Sequence, residues 1–273
     1  MQRGAFLVAV VCGSVLSAAA QERVPNFSPS ANVAWQSNSQ YGLDAASSGP
    51  QPVGPDPVTF KDRPYDMDTD YPVLDASNPN LQQWVVDRLK AQNAGVLAGK
   101  PLQPPTSSCW PHGLPAYMRY NGPTFIIRSP NEVVILKNQS SEVRRIALNR
   151  AHSSQPKPSW YGESVGHYEN GDTLVVDTIG LNDRTHLDLW RTPHTAALHV
   201  IERWKLSADG REIELKVRVE DAGTFKAPYE LVKHYRRAEA QWAEVICAEN
   251  PIGPLGPLPL GLDPMPQADR PDF

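Results

Sequence analysis

The sequence predicts a mainly β protein: an antiparallel meander of about nine short strands closing into a lipocalin-like barrel or a curved sandwich, with one N-terminal helix and proline-rich ends. Three observations predict it. The chain has 273 residues and 27 prolines, and proline inside a helix removes a backbone donor and clashes with the preceding turn. Those prolines are uneven: 15 fall in 21–123, five in 124–250 and seven in the last 23 residues, so regular structure concentrates in the middle. There, short runs rich in apolar residues alternate in twos between Gly, Asn, Asp and Pro, the pattern of strands and tight turns. Closing the meander disposes of its exposed edges, and two packed sheets are the other solution.

The elements follow in order. Met1 to Ala20 carries one positive residue, Arg3, an apolar stretch from Ala5 to Leu16 and the small run Ala18, Ala19, Ala20, which is the layout of a cleaved secretory signal peptide. Gly13, Ser14 and Ser17 interrupt it too early for a membrane span. The expected location is therefore periplasmic or secreted, after cleavage near Ala20. Residues 21–108 read as an irregular segment with a helix near 80–93, where Leu81, Trp84, Val85 and Leu89 recur at helical spacing after an Asn-Pro start. Residues 109–250 read as the antiparallel β domain, and 251–273 as a proline-rich tail, extended or disordered. Within the β domain, strands are expected over Thr124 to Arg128, Glu132 to Lys137, Glu142 to Leu148, Tyr229 to Arg236 and Gln241 to Ala248. Between them lie two hairpins. Asn170-Gly171 is a two-residue turn signal, and Asp209-Gly210 is another, with a longer Ser-Ala-Asp-Gly loop as its alternative.

Charge and motifs exclude several function classes. A net charge of -4 offers no basic footprint for nucleic acid. The seven histidines form no ligand-spaced motif and the cysteines no cluster, so no metal is expected; no P-loop, dinucleotide fingerprint or serine elbow is present, so no cofactor is expected. After cleavage two cysteines remain, Cys109 and Cys247, and an oxidising compartment pairs them as a disulfide.

Alternation then selects candidate site residues. Val200, Glu202, Trp204 and Leu206 share one face, opposite Ile213, Leu215, Val217 and Val219, and that face is the core. Glu202 is its single charge, which requires an ion pair, a proton or a wet cavity. His167, on the first hairpin, becomes a catalytic partner if its face is the inner one. Glu244 joins Glu202 inside if Trp242 faces inward, and two carboxylates in one cavity suit glycosidic or proton-transfer chemistry. Trp204 and Trp242 are the expected aromatic lining of a ligand cavity.

Three separated stretches, WYGESVGHYENGDTLVVDTIG from Trp160 to Gly180, PHTAALHVIERW from Pro193 to Trp204, and EVICAEN from Glu244 to Asn250, resemble a widespread family of secreted bacterial proteins without an established activity. The resemblance spans Cys109 to Asn250 and emphasises Glu169, Asp172, His194, Glu202, Arg203, Glu244 and Cys247, with His194 and Arg203 as ligand contacts. The family usually runs Trp-Glu-Gly-Asp-Thr where this chain has Asn170, which implies a turn one residue longer. Two main function classes remain. One is a barrel that binds a small apolar or aromatic molecule in its interior, with Glu202 fixing a polar group. The other is a hydrolase or lyase using Glu202 with His167 or Glu244. A structural envelope protein is a third class.

Overall fold

Period-two alternation in the middle of the chain builds the wall of a closed barrel. The structure is a computed structural model and describes residues 24–37, 44–45, 49, 76–98, 109–119, 122–138, 142–188, 191–243, 252–253 and 256–257. Its strands are β1 (Val33–Gln36), β2 (Asp44–Ala45), β3 (Thr124–Arg128), β4 (Glu132–Lys137), β5 (Glu142–Leu148), β6 (Glu163–Glu169), β7 (Thr173–Ile179), β8 (His199–Leu206), β9 (Glu212–Glu220) and β10 (Tyr229–Glu239). One helix, α1 (Gln83–Leu97), and a 3-10 turn, Ala116–Arg119, precede β3. β1 pairs with both β3 and β10, so nine strands close into a mixed barrel and β2 adds a short rung to β10.

Two features differ from the sequence expectation. The strand that completes the ring is β1, from the segment expected to be irregular: Val33 pairs with Glu239 and Trp35 with Thr124. Trp35 explains why so short a strand holds, since it is fully buried and its Nε1 donates to the Phe27 carbonyl at 2.9 Å. Residues 241–243, at the start of the expected last strand, are not strand, and 244–250 lie outside the described residues. The meander is also broken once. β5 and β6 run parallel, because residues 149–162 cross over between them instead of turning back, and parallel neighbours need such a connection.

The hairpins set which side chains face inward. Glu169 pairs with Thr173, so the first turn has three residues, Asn170, Gly171 and Asp172, with Asn170 and Gly171 both at positive φ, 55° and 74°. The extra residue, Asp172, offers its carbonyl to the Leu206 amide at 2.9 Å. In the second hairpin Leu206 pairs with Ile213 across the longer loop, and Val200, Glu202 and Trp204 lie opposite Val219, Val217 and Leu215 on the buried face. α1 buries Val85 and Leu89, while Trp84 stays 41% exposed and donates to the Gly223 carbonyl. In the tail a two-residue ladder is described, β11 (Ile252–Gly253) with β12 (Gly256–Pro257). Among the described residues no helix is long and apolar enough to cross a membrane.

Candidate functional site

The barrel interior is charged. Alternation along the wall places Lys137 on β4, Glu142 and Arg144 on β5, Glu202 on β8 and Lys233 on β10 among the buried residues, beside Trp204 and Tyr235. A charge survives there only with partners that replace its lost water.

Glu202 has those partners. Arg144 Nη1 donates to its Oε2 at 2.8 Å and Nη2 to its Oε1 at 2.6 Å, the two-pronged guanidinium–carboxylate geometry. The Trp204 Nε1 donates to Oε2 at 2.9 Å. Nη2 also reaches the hydroxyls of Ser164 at 3.1 Å and Thr178 at 3.0 Å, on β6 and β7. Three donors occupy the two carboxylate oxygens, and both charged side chains are fully buried. Glu202 is thus the acceptor half of an interior ion pair, and Trp204 stacks on Tyr235 with centroids 5.7 Å apart.

The neighbouring cluster is less saturated. Lys137 ends β4 and Glu142 begins β5, as direct partners across the hairpin. Burial pulls the Lys137 ammonium pKa down to about 7, partly opposed by the negative charge of Glu142. Its Nζ lies 5.7 Å from the Tyr117 ring centre and 5.5 Å from that of Tyr235. Burial pushes the Glu142 carboxyl up, but hydrogen bonds from His112 and the charge on that ring outweigh it, and the net pKa falls below the usual range. The His112 amide donates to Glu142 Oε1 at 2.8 Å, and Nδ1 lies 2.9 Å from the same oxygen. The other oxygen, Oε2, is buried without a hydrogen-bond partner among the described residues, and so is the Tyr161 hydroxyl. The two groups are neighbours: a hydrogen-bonding contact from Tyr161 is among the causes that lower the Glu142 pKa, and burial, then the charge of Glu142 and the same contact, raise that of Tyr161, but the contact falls outside strict hydrogen-bond geometry.

Aromatic rings surround this end. Tyr161 packs edge-on against Tyr117 at 5.5 Å, and the adjacent Trp160 packs edge-on against Trp110 at 5.1 Å, both tryptophans half-buried. The 3-10 turn carrying Tyr117 is held from inside the barrel. Lys233 Nζ donates to the Arg119 carbonyl at 2.9 Å, and the Tyr117 hydroxyl donates to the Ile135 carbonyl at 3.1 Å.

The expected site residues scatter. His167 lies on the outer wall, 55% exposed, with Nε2 3.0 Å from Glu169 Oε1, so the structure does not bring it to Glu202. The three-residue turn is the reason, because it pairs His167 with Val175 and places Gly166, not His167, opposite the inward Val176. Arg203 is also outside and pairs with Glu169. His194 is buried away from the cluster: its Nδ1 donates to the Thr195 carbonyl at 3.0 Å, and Nε2 sits 2.9 Å from the Thr185 hydroxyl. Burial holds its pKa below the usual histidine range. Trp242 is 45% exposed, edge-on to Phe125. Glu244 and Cys247 lie outside the described residues. The alternation that singled out Glu202 also reaches Lys137, Glu142 and Arg144 when extended to β4 and β5; the signal was present there. No sequence signal pointed to His112, because it comes from an irregular stretch. Among the described residues no three His, Cys, Asp or Glu side chains are placed to hold a metal ion.

Fold and interior together define a closed β-barrel with a charged, internally hydrogen-bonded core. Compared with known proteins, the chain matches no family model, no curated protein and no solved structure.

Proposed function

We propose that the protein is a secreted or periplasmic barrel, of the bacterial family its motifs resemble, that binds a small molecule with an aromatic or apolar body and one polar end. The polar end sits between Glu142 Oε2 and the Tyr161 hydroxyl, and the body lies against the half-buried Trp110 and Trp160. One observation carries this reading: an acceptor and a hydroxyl, both buried and close, make no well-formed hydrogen bond to each other or to another described group, a deficit that a ligand group bridging them removes. Glu202 is a poorer candidate for that role, since Arg144 and Trp204 already supply its donors.

An enzymatic reading gains support from Lys137. A buried amine titrating near neutrality suits a general base or a carbonyl-capturing nucleophile, so a hydrolase or lyase would rest on Lys137 and Glu142 in place of Glu202 and His167.

A panel of phenols, aromatic amines and aromatic amides, scored by thermal shift and tryptophan fluorescence, tests the binding reading. At least one compound is expected to stabilise the wild type. Tyr161→Phe should stay folded, because the lost hydroxyl makes only a loose contact with Glu142, and should weaken that compound at least about tenfold. No shift across the panel, or an unchanged affinity in both Tyr161→Phe and Glu142→Gln, rejects the reading.

A further inference from the structure

On the outside of the barrel, two histidines and three carboxylates form a continuous chain across four strands. His152, in the 149–162 crossover, has Nδ1 3.1 Å from Glu163 Oε1 on β6 and Nε2 2.7 Å from Asp177 Oδ1 on β7. His199, on β8, has Nε2 3.0 Å from the other Asp177 oxygen and Nδ1 3.3 Å from Glu220 Oε2 on β9. Two cations flank the chain: Arg150 of the crossover lies 3.7 Å from Glu163, and Arg218 of β9 lies 2.6 Å from Glu220. The Glu163 Oε1 also accepts the Ser153 amide at 2.6 Å.

The geometry makes these contacts depend on protonation. A neutral imidazole has one donor and one acceptor nitrogen, whereas a carboxylate only accepts. Each ring here faces a carboxylate on both nitrogens, so all four contacts are hydrogen bonds when both rings carry two protons. Loss of a proton turns one contact per ring into a lone pair facing a negative oxygen. Solvent reaches both rings, at 21% and 28% side-chain exposure, so they exchange protons with the medium.

We propose that His152 and His199 act as a pH-operated latch that fastens the 149–162 crossover to the barrel wall when protonated and frees it when they deprotonate. The latch stands on its own geometry. Its consequence for binding rests on the function proposed above, because this crossover carries Trp160 and Tyr161, after Ser159, whose backbone bonds to Gly180 and Asn182 hold independently of the histidines. The latch opens as pH rises, because each deprotonated ring has lost one of its two donors. On the acid side the carboxylates set the limit. The Asp177 carboxyl is pushed up by burial and, more strongly, held down by hydrogen bonds from His199 and His152. The Glu163 and Glu220 carboxyls are held low chiefly by the Ser153 amide and by Arg218. Lowered carboxylate pKa values keep the latch shut until pH falls below the usual carboxylate range.

Hydrogen exchange of the full chain at about pH 5.5 and about pH 8.5, corrected for intrinsic rates, tests the latch. Protection over 149–162 should fall at least about fivefold at the higher pH, while β8 and β9 keep theirs. His152→Gln should show the low protection at both values, and His199→Gln, which leaves Glu163 in place, should narrow the pH difference. Equal wild-type protection at the two pH values overturns the proposal, as does an unaltered pH difference in His152→Gln. Exchange decides the latch whether or not a phenol binds; a silent panel beside a pH-dependent crossover rejects the binding reading alone.

Discussion

Arg144 and Glu202 hold each other in the core, and removing one charge strands the other. Glu202→Gln keeps the shape of the side chain but leaves the Arg144 guanidinium without its counter-ion, so it should destabilise by about 3–5 kcal/mol in chemical denaturation. Replacing both with apolar residues of similar volume should recover most of that loss; a double variant as unstable as the single would show that the pair contributes more than mutual neutralisation. Lys137 behaves differently because its folded pKa is depressed. Between about pH 7 and the usual lysine range the unfolded chain holds a proton that the folded chain has released. Stability therefore rises with pH across that window, by at most about 1.4 kcal/mol per pH unit. Between about pH 7 and about pH 9, wild type should gain about 2 kcal/mol relative to Lys137→Met, and parallel curves for the two proteins would refute this. Glu202 was legible as an inward charge from one hairpin. Its partner was not, because Arg144 is distant in sequence and alternation reports a residue's face but not its neighbour.

At the level of elements, legibility followed the strength of local signals. The hairpin strands β8 and β9 were readable because seven apolar or aromatic positions and one glutamate repeat with period two. β1 was not, since four residues, VAWQ, carry too little pattern to be told from coil; Trp35 holds the strand through burial and its bond to Phe27, neither of which is local to the run. The first hairpin shows how one residue redirects a site. With a two-residue turn His167 would share the face of Val176; the third turn residue pairs it with Val175 and sends it to solvent. The crossover that makes β5 and β6 parallel ends at Gly162, with φ 61°, where an added Cβ would sit 2.4 Å from the Ile179 carbonyl oxygen. That close approach requires a residue without a side chain directly after Tyr161, and a glycine in a long irregular run announces none of it.

At the scale of the whole molecule, the described barrel and the expected disulfide bear on the same problem of joining distant parts of the chain. The pairing of Cys109 with Cys247 is proposed from the cysteine count and the expected secretory signal. Such a long closed loop stabilises by about 4 kcal/mol when unstrained. Intact-mass measurement of the alkylated protein should show no modified thiol before reduction and two in the mature chain after it; two alkylated thiols without reductant would refute the pairing. Closure of the barrel spans still more sequence, because Val33 meets Glu239. On the ribosome the N-terminal strand is made first, yet its partner on β10 is among the last residues of the barrel to emerge. Until then β1 lacks its longer ladder and β9 its second neighbour, and the edges that the finished ring conceals are open to other chains. The nascent protein is therefore most exposed to aggregation late in its synthesis, and a chaperone that shields the β1 segment would act longest on the part of the fold that looks least structured in the sequence.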